Sequence, residues 1–135
     1  MRGLLAILVL AAGPLPAQVG LQGAAQRARQ TWLAHDPVAL LAGSPGVILQ
    51  IPGTDPSAAM GRDQAAELLA RYLRTSVEQG VDITVAREVE KGRGYVELVR
   101  RYAIAGTTEE RRETVFVGLR RLGNRWAVVE LRAGP

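Results

Sequence analysis

The sequence contains no cysteine and a single histidine, His35, so several common kinds of chemistry are excluded at the outset. Without cysteine the chain forms no disulfide and carries no lipid anchor of the bacterial lipoprotein type. One histidine among scattered carboxylates offers no spacing of metal ligands, and we predict neither a metal nor a cofactor. Packing alone must stabilise the fold, although aromatic residues make up only 4% of the chain.

Long apolar runs are also scarce, and the one present lies at the N-terminus. An apolar run over residues 4–12 is followed by Gly-Pro-Leu-Pro-Ala. The run is about half of the roughly 20 residues that a membrane span needs, and this layout is typical of a secretory signal peptide. We predict a signal peptide over residues 1–17, with Ala25 as a second candidate cleavage site. The mature chain, residues 18–135, is then one exported domain, periplasmic or secreted, with no membrane span.

The net charge of +4 does not indicate a nucleic-acid partner, because acidic and basic residues alternate along the chain. The segments 87–88, 109–113 and 130–132 each mix glutamate with arginine, so no face with charge of one sign is evident. We therefore expect no nucleic acid among the partners of this protein.

Helices precede strands in the predicted order of elements. Apolar residues at helical spacing predict a first helix from Leu21 to Trp32. Asp36 before Pro37 predicts the cap of a short second helix, and His35 is interpreted as an exposed loop residue. A short strand is predicted over 47–51. An amphipathic pattern from Arg62 through Val77 predicts a third helix, which Gly80 ends. Four antiparallel strands follow over 81–90, 94–104, 112–122 and 125–132. The fold class is α+β, in the order α-α-β-α-β-β-β-β.

This layout resembles the nuclear transport factor 2-like superfamily of cone-shaped α+β domains. The motifs that carry the resemblance are the stretch from Trp32 to Leu40, the helix over 62–76, and Trp126 at the start of the last strand. The resemblance covers residues 21–132 and is nearest to small exported bacterial domains of uncharacterised function. It implies helices packed on a curved antiparallel sheet around a pocket. Ketosteroid isomerases and SnoaL-like cyclases use that pocket for acid/base chemistry, but their catalytic residues match no position here.

Regular alternation, with two-residue turns at 92–93 and 123–124, assigns the strand residues to two faces. The predicted core face is mostly apolar, with five polar exceptions, and collects Val81, Ile83, Val85, Arg87, Val89, Val96, Leu98, Arg100, Tyr102, Ile104, Glu113, Val115, Val117, Leu119, Trp126, Val128 and Glu130. A buried charge needs a partner or water, so the polar exceptions indicate where a site would lie. On the opposite face, Phe116, Val129 and Leu131 form a candidate homodimer patch.

The candidate pocket joins polar residues of the core face to aromatic residues of the helices: Arg100, Tyr102, Glu113, Glu130, Trp32 and Tyr72. In a pocket, Arg100 would hold an anion or a carbonyl group, and Tyr102 would donate a hydrogen bond. A glutamate with a raised pKa would act as acid or base. The structural alternative pairs Arg100 with Glu130 to satisfy burial, leaves Glu113 in solvent, and packs both aromatic residues in the core.

These patterns favour an exported binding or assembly module without catalytic activity, whose ligand would be a small hydrophobic or anionic molecule. Two alternatives stay open. One is a small lyase, isomerase or cyclase that uses the pocket in the cone, and the other is a structural envelope protein that dimerises through its sheet. An open pocket lined by Arg100, Tyr102 and a glutamate would favour binding or catalysis, whereas a filled cone would favour the structural role.

Overall fold

The computed structural model describes residues 16–55 and 58–135. Its elements in chain order are α1 (Pro16–Leu33), α2 (Pro37–Leu40), β1 (Ile48–Gln50), α3 (Arg62–Arg74), β2 (Ser76–Glu90), β3 (Arg93–Ile104), β4 (Glu110–Leu122) and β5 (Arg125–Gly134). This order confirms the predicted α+β class. Residues 1–15 of the predicted signal peptide lie outside the described residues, and no described helix is long and apolar enough to cross a membrane.

The strands form one curved sheet in the order β1-β5-β4-β3-β2. Strands β2 to β5 are antiparallel neighbours, and the short β1 pairs in parallel with β5, so the sheet is mixed. Helices α1 and α3 contact the same sheet, and the apolar core fills the space between them and its inner face.

The N-terminal helices follow the sequence closely. Leu21, Ala25, Ala28 and Trp32 form the buried stripe of α1, as their spacing predicts. The carboxylate of Asp36 caps α2 by accepting from the amide of Ala39 at 3.1 Å, with proline in the first turn.

The helix predicted from Arg62 through Val77 ends earlier, at Arg74. Ser76 already pairs with Ile104 in the sheet, and Val77 lies on β2 with 55% of its surface exposed. The hydroxyl of Ser76 donates to the carbonyl of Leu73, which occupies a backbone acceptor at the helix end. Pairing with the long β3 therefore extends β2 backwards, and Gly80 lies inside that strand.

The predicted alternation is correct for Val81 and Ile83 and then fails along β2. The register shifts between Ile83 and Val85, so one extra residue turns the following side chains over. Ala86 packs against the core, whereas Arg87 and Val89 are exposed, contrary to prediction. A further shift near the end of β2 moves its turn to residues 91–92, with Gly92 at φ 78°.

A bulge between β4 and β5 changes the faces of β5. Trp126 and Val128 face the core as predicted, and the turn at 123–124 is confirmed. The register then shifts between Gly118 and Leu119, so that Leu131 becomes fully buried and Glu130 lies on the outer face. The predicted homodimer patch therefore loses Leu131.

The two other members of that patch are partly covered within the chain. The ring of Phe116 stacks on that of Tyr95, with ring centroids 5.4 Å apart. The guanidinium carbon of Arg132 also lies over the Phe116 ring, 5.8 Å from its centre. Phe116 and Val129 are both half-buried. Of the predicted patch, Phe116 and Val129 therefore remain on this face.

Candidate functional site

Arg100 on β3 is the centre of the candidate site, and its side chain is fully buried. Its Nε donates to Glu78 Oε2 at 3.2 Å, and its NH2 group donates to Glu78 Oε1. Its NH1 group donates to Glu113 Oε1 at 3.1 Å, and NH2 also donates to the hydroxyl of Ser76 at 2.7 Å. The guanidinium is thus held by two carboxylates, each with a side chain 4% exposed. Such pairing is what a buried charge requires.

Glu78 connects Arg100 to the end of the first helix through His35. The amide of His35 donates to the Trp32 carbonyl, and the amide of Asp36 donates to the Thr31 carbonyl, so α1 ends in a Schellman turn. His35 takes the left-handed position of that turn at φ 52°. Its Nε2 lies 3.0 Å from Glu78 Oε1, and an ionised carboxylate in that position needs Nε2 to carry a proton. His35 is therefore not the exposed loop residue that was predicted.

Tyr72 of α3 completes the arrangement by donating its hydroxyl to Glu113 Oε2. Burial raises the pKa of Tyr72 well above its usual range, and the hydrogen bond and charge of Glu113 raise it further. The phenol therefore stays protonated and acts as a donor. We refer to His35, Tyr72, Ser76, Glu78, Arg100 and Glu113 as the Arg100 network.

Aromatic rings enclose the guanidinium. Its carbon lies 3.8 Å from the ring centre of Tyr102, 5.2 Å from that of Trp32 and 5.6 Å from that of Tyr72. These cation–π contacts offset part of the cost of removing the charge from water. The Nε1 atom of Trp32 is buried without an acceptor among the described residues. The interior around Arg100 is thus filled by side chains.

An open cleft of about 500 Å³ lies beside the network. We call it the Arg100 cleft, and its lining combines network residues with aromatic, apolar and basic ones: Pro52, Tyr72, Thr75, Ser76, Arg100, Tyr102, Ile104, Arg111, Arg112, Glu113 and Pro135. Arg111 and Arg112 at the mouth of the cleft are both exposed. The NH2 atom of Arg111 lies 3.6 Å from Glu109 Oε2, whereas Arg112 pairs with no described carboxylate and leaves a positive charge at the mouth. The hydroxyl of Tyr102 has no partner among the described residues and is available to a ligand.

Five of the six predicted pocket residues come together here: Arg100, Tyr102, Glu113, Trp32 and Tyr72. Glu130 does not join them, because the β5 bulge places it on the outer face, where it pairs with Arg132. The predicted partner of Arg100 is therefore wrong, and Glu113 is buried rather than solvated. The sequence pattern does not indicate Glu78, because it predicts a helix through Val77 that ends at Gly80.

The electrostatics of the network limit what it does chemically. One arginine faces two carboxylates, and both oxygens of each carboxylate accept a hydrogen bond from a network member. Within the part of the chain that the structure describes, no three histidine or acidic side chains lie close enough to hold a metal ion. The groups left for a ligand are those that line the cleft without belonging to these pairs.

Comparison with known proteins identifies the fold. No protein-family model and no curated protein matches the sequence. A ketosteroid isomerase-like protein from Erwinia carotovora atroseptica is 17% identical over 87% of this chain and 96% of its own, with a TM-score of 0.72. A nuclear transport factor 2-like protein of unknown function from Pseudomonas putida is 14% identical over 87% and 85%, with a TM-score of 0.62.

A third structure similar to this chain holds a small ligand. A hypothetical protein with a ketosteroid isomerase-like fold from Catenulispora acidiphila, in complex with trimethylamine, is 20% identical over 83% of this chain and 84% of its own. Its TM-score is 0.59. The predicted resemblance is confirmed at the level of the fold, which is nuclear transport factor 2-like. Fold alone does not select a function.

Proposed function

We propose that this protein is an exported binding module that takes a small molecule with an apolar body and an anionic group into the Arg100 cleft. The observation that carries the proposal is an open volume of about 500 Å³ beside a buried network whose own charges are already paired. Pockets of this size, mostly apolar with a few placed polar groups, are the usual form of small-molecule sites.

The pairing inside the network favours binding over catalysis. A general base needs a free lone pair directed at the proton it removes. Glu113 gives its oxygens to Arg100 and Tyr72, and Glu78 gives its oxygens to Arg100 and His35. A ligand proton would therefore compete with Arg100, Tyr72 or His35 for these oxygens. We therefore assign the network to positioning the cleft wall.

The cleft lining determines the chemistry of the ligand. Tyr72, Tyr102 and Ile104 offer aromatic and apolar surface, which suits a flat hydrophobic body. Arg111 and Arg112 at the mouth provide guanidinium groups that bind a carboxylate or a similar anion. An apolar molecule with one anionic end matches both surfaces.

A matched pair of ligands tests this function. We expect 2-naphthoate to bind and to shift the backbone amide resonances of Tyr102, Ile104 and Glu113, and the neutral 2-naphthamide to bind at least about tenfold more weakly. Replacing both Arg111 and Arg112 with glutamine should weaken naphthoate binding by about the same factor. Arg120→Gln is the control, because it removes an exposed arginine from the same strand outside the cleft.

Three results would contradict the proposed function. The first is equal affinity for the acid and the amide, which would remove the role of the charged mouth. The second is a set of shifted resonances that excludes the three cleft residues. A loss of affinity in Arg120→Gln as large as in the double variant would likewise show that only net charge matters.

A proton-transfer enzyme of the lyase, isomerase or cyclase type is the second candidate. It is favoured by the Tyr72 and Glu113 pair, which lines the cleft with a protonated phenol against a carboxylate, and by the ketosteroid isomerase-like neighbours. Deuterium uptake next to the carbonyl of 2-cyclohexenone in heavy water would detect this activity. Glu113→Gln should abolish it, and exchange no faster than in buffer would exclude it for this class of ketone.

The proposal that the protein is exported rests on the N-terminal sequence. The position of the first buried residue of α1 supports it. The core stripe of α1 begins at Leu21, so cleavage after Ala17 would leave every described buried residue of that helix in place. Cleavage after Ala25 would remove Leu21 and Ala25, which are 7% and 1% exposed. This burial supports a mature chain that begins at Gln18.

A further inference from the structure

A second pocket lies at the opposite end of β4, between α1 and the turn that joins β4 to β5. Its volume is about 210 Å³, and it shares no lining residue with the Arg100 cleft. We call it the hairpin pocket, and small, apolar and basic residues line it: Gly20, Gly23, Ala24, Arg27, Ala28, Leu40, Ala42, Leu119, Asn124, Arg125, Trp126 and Val128.

The indole of Trp126 places a hydrogen-bond donor in this pocket. Trp126 is 9% exposed, and its Nε1 has no acceptor among the described residues. The Nε1 edge lies against Gly20, where an added Cβ would sit only 3.1 Å from it. Gly20 and Trp126 both line the pocket, so the Nε1 edge of the indole lies at the pocket wall. Among the described residues, only Trp32 has a buried side-chain polar atom without a partner, so the Trp126 N–H remains accessible and a ligand oxygen in the pocket would accept from it.

Two guanidinium groups give the pocket a positive charge without compensation. Arg125 lies flat against Gly43, because a Cβ at that glycine would meet its NH2 atom at 2.6 Å. No described carboxylate pairs with Arg125 or Arg27, and Arg27 uses one nitrogen to donate to the Ala39 carbonyl at 3.0 Å. No aspartate or glutamate occurs among the described lining residues. The remaining wall, formed by side chains such as Leu119 and Val128, is apolar.

We propose that the hairpin pocket binds a small organic carboxylate whose body is a compact apolar group such as a single aromatic ring. The carboxylate would accept from the Arg125 guanidinium, which matches it in a two-pronged geometry, and from the Trp126 Nε1–H. The apolar body would cover Leu119 and Val128. This inference is independent of the function proposed for the Arg100 cleft, because the two sites share no residue.

Benzoate and benzamide form the test pair, since they differ only in the charged group. The chain has two tryptophans, so two indole N–H resonances separate the sites: Trp126 reports the hairpin pocket, and Trp32 lies next to Arg100. The Trp126→Phe variant assigns the two signals. We expect benzoate to shift the Trp126 signal in a saturable way, and benzamide to do so at least about tenfold more weakly.

Variants at Gly23 provide a matched control, because a Cβ there meets nothing within 4 Å. Gly23→Leu should fill the pocket and abolish the benzoate shift, whereas Gly23→Ala should retain it. Both replace glycine inside a helix and should leave the fold stable. Arg125→Gln should weaken benzoate binding at least about tenfold, and Arg125→Lys should recover part of it.

The inference is overturned by any of three results. The first is a Trp126 signal that stays unchanged up to about 10 mM benzoate, which would mean that the dissociation constant lies above the millimolar range. The second is an equal shift of that signal by benzoate and benzamide. The third is binding of benzoate by Gly23→Leu with the affinity of the parent chain. A benzoate shift confined to Trp32 would place the ligand in the Arg100 cleft and would refute the hairpin pocket without affecting the first proposal.

Discussion

Arg100 is the residue that most constrains this molecule, because its charge is fully buried in a domain without disulfides. An arginine in that position is tolerated only with carboxylates and hydrogen-bond acceptors on all sides. Glu78, Glu113 and Ser76 supply them, and three aromatic rings enclose the rest. Such a pair contributes little compared with an apolar core of equal volume, but breaking it is expensive.

Removal of Arg100 should therefore destabilise the fold through the carboxylates it leaves behind. We expect Arg100→Met to lower the free energy of unfolding by about 3 to 5 kcal/mol, measured by urea denaturation. Adding Glu78→Gln and Glu113→Gln should recover most of the loss. Adding Glu130→Gln instead should recover nothing, because Glu130 pairs with Arg132 on the outer face. Rescue by Glu130→Gln would show that the register of β5 is wrong.

The raised pKa of Tyr72 gives a pH dependence with a definite sign. Above about pH 10 the phenol ionises in the unfolded chain but stays protonated in the folded one, so the free energy of unfolding should fall as pH rises. Tyr72→Phe should remove this part of the decline. Tyr95→Phe is the control and should retain it, because Tyr72 is intact. The test range runs from about pH 9 to about pH 11, around the usual pKa of tyrosine. If the free energy of unfolding falls with the same slope in the parent chain and in Tyr72→Phe over this range, the assignment to Tyr72 is contradicted.

At the scale of the elements, bulges decide which side chains reach the core. Strand β2 carries register shifts at three places and β5 pairs with β4 through another. Each shift inserts a residue and turns the following side chains to the opposite face. The bulge in β5 buries Leu131 and expels Glu130, and the shifts in β2 expose Val89. The register shift between Glu78 and Gly80 leaves Gln79 unpaired, so Glu78 and Val81 lie on the same face of β2.

Three substitutions test the faces that the bulges create. Leu131→Ala should cost about 2 to 5 kcal/mol of unfolding free energy, because the residue is fully buried. Val89→Thr should change it by less than about 0.5 kcal/mol, since the side chain is 56% exposed. Val117→Thr, which places a hydroxyl in the core, is the positive control and should cost about 1 to 3 kcal/mol. A larger loss of unfolding free energy in Val89→Thr than in Leu131→Ala would contradict the bulges and would support regular alternation of the strand residues.

At the scale of the whole molecule, the fold leaves open volume at both ends of β4. The Arg100 cleft includes residues 111–113 at the start of that strand, and the hairpin pocket includes Leu119 near its end. The filled interior between them contains Arg100, Trp32 and the core face of the sheet. Both pockets combine apolar walls with at least one arginine that pairs with no described carboxylate, Arg112 in the cleft and Arg125 in the hairpin pocket.

Export with cleavage of the signal peptide would determine where the mature chain begins. In a bacterial host we expect the exported fraction to have the mass of residues 18–135, because cleavage after Ala17 retains the buried stripe of α1. Intact mass spectrometry of that fraction is the measurement. A chain that keeps Met1 and partitions with membranes would contradict the prediction, and a start at Gln26 should yield a less stable protein.

The sequence by itself determined the features that depend on local chemistry. Periodicity predicts α1 and its buried stripe, Asp36 and Pro37 predict the start of α2, and the glycine at position 123 predicts the last hairpin. These features follow from side-chain spacing, capping hydrogen bonds and backbone freedom, none of which needs a distant partner. The order of elements was then sufficient to predict the α+β fold.

Only the tertiary structure decided which charges meet. The predicted pocket brings together Arg100, Tyr102, Glu113, Trp32 and Tyr72, but the partner Glu78 and the role of His35 depend on contacts across 22 and 43 positions of the chain. Strand pairing ended α3 early and placed Glu78 beside Arg100, and bulges moved Glu130 away. Alternation of residues carries no record of a bulge, because the position at which one residue is left out of the pairing depends on a strand elsewhere in the sequence.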